Sequence, residues 1–144
     1  MSARGAGTRR RAREAAFRVA YQADANGEAV LATWRAREAE EALSADGHAL
    51  VDDVVRTLSR DLADVDARLR EAAEHWPVER LAATDRAVLR VAVAELVARP
   101  GTPARVVLDE AVEIARTFGT EESGRFVNGV LDRVARALRP EEFA

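Results

Sequence analysis

The sequence predicts an all-α protein. Apolar residues recur at spacings of three and four in successive segments, and Gly, Pro, Ser and Thr fall where those segments begin and end. Alternating strand-like runs, internal repeats and low-complexity tracts are missing. At 144 residues the chain fits one compact unit of six or seven helices, long enough to bury roughly two-thirds of its unfolded surface without a disulfide or metal staple.

Gly5 and Gly7 mark residues 1–8 as a flexible basic leader, with the helical domain over 9–139 and a short tail at 140–144. The first helix is expected from about Thr8 to Ala25, stopped by Asn26-Gly27. Residues 28–45 hold Leu31, Trp34 and Leu43 among many Ala and Glu, a helix with a poorly defined apolar face. From Asp46 as N-cap, Val51, Val54, Leu58, Leu62, Val65, Leu69, Ala72 and Trp76 trace one face of a long helix that Pro77 ends. Thr84 is expected to cap a helix carrying Leu89, Ala92, Val93 and Leu96 inward, closed by Arg99-Pro100-Gly101. Thr102-Pro103 reads as an N-cap followed by Pro at the first helical position, with Val107, Ala111, Ile114 and Phe118 inward before Gly119. Thr120 then caps a last helix with Val127, Val130, Leu131, Val134 and Leu138 inward, stopped by Pro140.

Composition excludes much chemistry. Cys is absent, so disulfides, zinc fingers, iron–sulfur sites and a thiol nucleophile are excluded. Lys is absent as well, and all 22 basic residues are Arg, which removes the phosphate-loop lysine, a Schiff base and a lysine general base. Gly5-Ala6-Gly7 has no preceding strand and Arg10 stands at the third glycine position, so it is no dinucleotide loop. The pairs His48/Asp52 and Glu71/His75 are spaced i, i+4 but fall short of a three-ligand metal site, and surface pairing or capping accounts for them. None of the serines lies in a nucleophile elbow, and the acid pairs Asp52-Asp53 and Glu121-Glu122 suit helix N-termini. No catalytic residue, metal or cofactor is expected. No stretch approaches the ~18 apolar residues of a membrane span, and no apolar segment follows the basic head as in a secretory signal, so the expected location is the cytoplasm.

Charge is unevenly distributed. Residues 1–13 hold Arg4, Arg9, Arg10, Arg11 and Arg13 with no acid, a formal +5 that leaves −8 for the remainder against a total of −3. Such a head is the electrostatic footprint of a polyanion, to be met locally because the body is acidic. A solvated helix end is the ordinary alternative, and few head residues are expected to be core. Arg10, Phe17 and Tyr21 fall within about 20° of one line on a helix. Single-stranded RNA recognition pairs cations for phosphates with rings for bases, and Tyr21 would supply a ring while Phe17 borders the core. Arg86 and Arg90 form a small basic edge, and Phe126 sits beside Arg125 at the margin of its helix's apolar face, either core or a stacking ring.

Six segments in order carry a resemblance over nearly the whole chain: Arg9 to Glu14, Tyr21-Gln22, Asp85 to Arg90 with Glu95-Leu96, Thr102-Pro103, Asp109 to Glu113, and Phe126-Val127-Asn128-Gly129-Val130-Leu131-Asp132. The chain resembles the NusB family of bacterial transcription antitermination factors. The resemblance implies two small helical subdomains and no enzymatic activity. It also implies binding of boxA RNA together with the ribosomal protein NusE, so that RNA polymerase, with other Nus factors, transcribes ribosomal RNA operons processively. By the same resemblance Arg9, Arg10, Arg11 and Arg13 form the arginine-rich RNA motif, Tyr21 and Phe126 the RNA-proximal rings, and Arg86, Arg90 and Arg125 the neighbouring cations. Asp85, with Glu95 near it, falls beside the partner surface. Asp109 stands where the family commonly has Asn, and residues 26–46 match poorly. Two other readings remain: the related RNA-binding domain of an rRNA cytosine methyltransferase, whose catalytic domain would have to follow Ala144, and a structural homodimer pairing the basic head with the acidic body of a second copy.

Overall fold

The structure, a computed structural model, describes the backbone of residues 2–74 and 76–144, and side chains from residue 7 onward apart from residue 75. Six α-helices and two 3-10 turns make up the described residues, with no strand among them. They are α1 (Ser2–Asn26), α2 (Val30–Arg37), α3 (Ala45–Ala72), α4 (Ala83–Ala98), α5 (Ala104–Phe118) and α6 (Glu121–Leu138), with the 3-10 turns at Val78–Arg80 and Pro140–Phe143. α4 lies at the centre of the bundle and packs against α1, α3, α5 and α6. α4 is accordingly the most thoroughly buried helix, with every residue from Ala87 to Leu96 buried except Arg90. One apolar core runs through the bundle, from Ala12 and Trp34 to Leu131 and Ala135.

Most boundaries follow local chemistry. α1 ends where Gly27 takes φ +65°, a conformation that costs glycine nothing. Thr120 caps α6 as expected, its hydroxyl accepting from the Ser123 N–H at 3.1 Å, and the helix stops before Pro140. Elsewhere the ends fall at other residues than expected. α1 begins at Ser2, earlier than Thr8. α2 covers only eight of the residues between 28 and 45, anchored by the fully buried Trp34, whose indole N–H donates to Asp52 at 3.3 Å. Ser44, not Asp46, caps α3 through the Gly47 N–H at 3.0 Å, and Asp46 lies in the first turn.

α3 breaks phase at Asp61 (φ −115°, ψ 26°), which turns Leu62 outward. The helix ends at Ala72, so Trp76 lies beyond it and is 55% exposed. α4 starts at Ala83 with no side-chain cap from Thr84. Thr102 does not cap α5: its carbonyl accepts from Arg139, while Glu142 accepts from the first helical N–H, that of Ala104, at 2.8 Å. Arg139 also donates to the carbonyls of Leu96 (2.8 Å) and Arg99 (2.9 Å), so the chain's C-terminal turn fastens the α4–α5 connection. Phe118 lies on the inward line of α5 but at its last turn, where the core runs out; it is 42% exposed and stacks on Phe17 at 4.9 Å between centroids.

Of the two i, i+4 pairs weighed as metal ligands, His48 and Asp52 are engaged in ion pairs with other residues. His48 meets Glu38 at 2.9 Å, and Asp52 accepts from Arg56 at 2.6 Å and Arg35 at 3.0 Å. Glu38 is held below the ordinary glutamate range by the His48 hydrogen bond and, after it, by Arg35. His75 lies outside the described residues. Among the described residues no group of three or more His, Asp or Glu side chains could hold a metal ion, and no helix is long and apolar enough to cross a membrane.

Candidate nucleic-acid interface

The face that α1 buries is built from small residues: Ala12, Ala15, Ala16, Val19, Ala20 and Ala23 are all within the core. Small side chains let neighbouring backbones come close, and a methyl group placed on Gly47 of α3 would stand 3.5 Å from the Ala12 Cβ. The opposite face carries Arg11, Arg18 and Tyr21, which fall within about 80° of one another at 100° per residue, and all three are exposed. Arg9 points toward the core side but precedes the first buried residue, Ala12, and is exposed too. Arg9, Arg11 and Arg18 make no ion pair or side-chain hydrogen bond among the described residues, and neither does Arg125 on α6. Tyr21, 41% exposed, leans its ring on Phe17 at 6.0 Å.

The other arginines of the head are engaged. Arg13 is buried, as is Ala12, so the head is not wholly outside the core. A guanidinium cannot leave water without replacing its hydration, and Glu95 of α4 replaces it with a bidentate fork at 2.8 and 2.7 Å. Burial alone would lower the Arg13 pKa, but the hydrogen bonds and charge of Glu95 outweigh it and the group is held above the ordinary arginine value. Glu95, 1% exposed, is thus turned inward to α1 rather than outward to a partner. Arg10 is exposed yet forks onto Glu110 of α5, NH2 to Oε2 at 2.6 Å and Nε to Oε1 at 3.3 Å, and its pKa is raised by that bond and charge.

Arg86 and Arg90 meet at one carboxylate. Asp24 accepts from Arg86 at 2.6 Å and lies 3.5 Å from Arg90, which forks onto Asp66 at 2.9 Å. Arg86 also donates to the Leu81 carbonyl at 2.9 Å and so secures the 3-10 turn before α4. Both side chains are largely covered. Burial would lower the Arg90 pKa, but Asp66 and then Asp24 more than reverse this. These two cations serve first as staples among α1, α3 and α4.

At the other end of α1, Arg10 and Arg125 line one groove with Glu110, Glu113, Arg116 and Asn128. The groove and the Asp24 cluster are separated by fourteen residues of α1, roughly 20 Å. The predicted residues therefore form a stripe along α1, with Tyr21 between its ends, rather than a single patch. Phe126 is half-buried and packs against the core, with no ring contact to Tyr21 among the described residues. Asp85 sits half-buried in the first turn of α4, and its Oδ1 is buried without a hydrogen-bond partner.

Sequence reasoning missed Arg18 and Phe118. Arg18 stands seven residues after Arg11 and so repeats its direction, a periodic signal that was available. Exposure of Phe118 had no such signal, because its spacing from Ile114 matches the buried stripe.

The NusB family model matches residues 10–136. The transcription antitermination protein NusB of Sorangium cellulosum is 46% identical over 136 residues, which cover 92% of this chain and 94% of that protein. NusB of T. maritima superposes with a TM-score of 0.82 at 34% identity, over 94% of this chain and 96% of that one. A crystal structure of the antitermination factors NusB and NusE in complex with double-stranded RNA contains a chain that superposes with a TM-score of 0.81 at 27% identity, over 90% of this chain and 97% of that one. With the family model matching residues 10–136 and a relative 46% identical across 92% of the chain, this chain belongs to the NusB family.

Proposed function

We propose that this chain is a non-enzymatic transcription antitermination factor that binds single-stranded boxA RNA together with NusE, as part of the RNA polymerase elongation complex on ribosomal RNA operons. The observation that carries this reading is the exposed face of α1. There Arg11 and Arg18 share a face with the exposed ring of Tyr21, and with Arg9 one turn from the start of the buried stretch they keep guanidiniums unpaired among the described residues, on a chain whose overall charge is negative. Unpaired cations attract phosphates and an exposed ring accepts a base, the combination that single-stranded RNA needs. Arg125 extends the cationic surface onto α6, and the half-buried Asp85 stands in the first turn of α4, the position that the family resemblance sets beside NusE. Relatives named for antitermination, and a solved neighbour that joins NusB, NusE and double-stranded RNA, support the antitermination, NusE and RNA parts of this reading.

A mobility shift with a boxA leader RNA tests it, with and without NusE. The expected result is a weak shift with this chain alone and a strong one with NusE. No shift in the presence of NusE would refute it. Asp85→Lys is expected to weaken NusE binding by calorimetry while leaving the residual RNA affinity of the α1 arginines in place.

A further inference from the structure

We propose that Glu110 is an intramolecular competitor for RNA phosphate, holding Arg10 out of the arginine-rich surface and so setting how tightly, and how salt-sensitively, this chain binds RNA by itself. The inference rests on the RNA-binding reading above and adds a residue that restrains it. Arg13 is forked by Glu95 and also lies 3.6 Å from Glu110, so Glu110 is shared between the buried Arg13 and the exposed Arg10, but Arg10 alone receives both of its oxygens as hydrogen-bond acceptors. Its carboxylate takes the Nε and Nη2 edge of Arg10, one of the two edges through which a guanidinium can grip a phosphate, and neutralises the charge that would draw the phosphate in. The arginine is therefore half exposed but electrostatically spent, while Arg9 and Arg11 on either side of it are not.

The groove strengthens the point. Arg10, Arg116 and Arg125 line it against Asp109, Glu110 and Glu113, and Arg116 is paired with Glu113 at 3.0 Å. A phosphate approaching the unpaired Arg125 meets like charge on α5 and must displace Glu110 to reach Arg10. A strand held in place by a second protein can meet that cost, whereas a strand binding this chain alone meets it unaided.

The experiment measures boxA RNA binding across salt concentrations, with and without NusE, for the wild type, Glu110→Gln, Arg10→Gln, Arg11→Gln and the Glu110→Gln/Arg10→Gln pair. Glu110→Gln should tighten binding without NusE by about three- to tenfold and steepen the log–log salt slope by ~0.7, one added phosphate contact. The gain should vanish in the double variant. Glu110→Gln also takes a neighbour from buried Arg13, so the Arg10→Gln single variant gives a reading independent of any folding defect. Arg10→Gln alone should change affinity less than twofold, where Arg11→Gln weakens it severalfold. Unchanged or weaker RNA binding by Glu110→Gln, or an Arg10→Gln loss equal to that of Arg11→Gln, would overturn the competitor role while leaving the RNA-binding reading intact. Absence of RNA binding by the wild type even with NusE would overturn both.

Discussion

Arg13 and Glu95 illustrate how a residue's role follows from what it touches. Both side chains are almost wholly covered, and each is tolerable only because the other is there. Glu95→Gln or Arg13→Met should each cost about 3–5 kcal/mol in denaturant melts, since a single change leaves an uncompensated buried charge. Arg13→Met with Glu95→Leu together should recover most of that loss, and a double variant as unstable as the sum of the singles would contradict the pairing. Phe126 divides differently. Its ring packs against the core at the edge beside Arg125, so Phe126→Ala should lose stability, by about 1.5–3 kcal/mol. Phe126→Leu keeps most of the apolar volume but no π-face. If the ring also stacks on a base, Phe126→Leu should melt nearly as the wild type and still lose ~1–3 kcal/mol of RNA binding. Wild-type RNA affinity in Phe126→Leu would make the ring purely structural.

Among the elements, the C-terminal turn has the clearest pH signature. The Ala104 N–H, then Arg139, hold the Glu142 carboxyl below the ordinary glutamate range. A depressed carboxylate pKa stabilises the folded state above the unfolded value, about 4.3, and that contribution is lost as pH falls through the native value. Thermal melts across pH 3–6 should therefore show the wild type losing stability on the acid side more steeply than Glu142→Gln, which starts lower at neutral pH. Glu38 and Asp52 add to the acid-side decline with the same sign: burial raises Asp52, but the bonds from Arg56, Trp34 and Arg35 outweigh it. An identical slope for the variant would remove Glu142 from the account. The same turn explains why α5 starts without a cap of its own from Thr102, since a carboxylate 38 residues away does that work.

On the scale of the molecule, the proposed RNA surface on α1 would make RNA affinity a matter of a few free guanidiniums against an acidic body. Arg9→Gln with Arg11→Gln should flatten the log–log salt slope of RNA binding by about 1.4, at ~0.7 per phosphate contact, with no change in melting temperature. Arg86→Gln and Arg90→Gln should do the reverse, lowering stability more than the slope, because their charges are spent on Asp24 and Asp66. Deleting residues 1–13 is not the neutral truncation that the charge pattern invites, since it removes Ala12 and Arg13 from the core. Equal slope changes for the α1 pair and the α4 pair would mean that ion pairing does not decide which cations reach RNA.

The helical class, the order of the helices, the stops at Gly27 and Pro140, the Thr120 cap and the apolar stripes of α4 and α6 were all legible in the chain, because each depends on neighbours within a few residues. The arginine-rich segment was legible for the same reason. Which of its charges remain free was decided only by the tertiary structure: Arg10 is claimed from 100 residues away, Arg13 from 82, and Arg86 from 62. Composition counts charges but does not place them, and a guanidinium's availability depends on the distance to the nearest carboxylate, which only the packing of α1 against α4 and α5 sets.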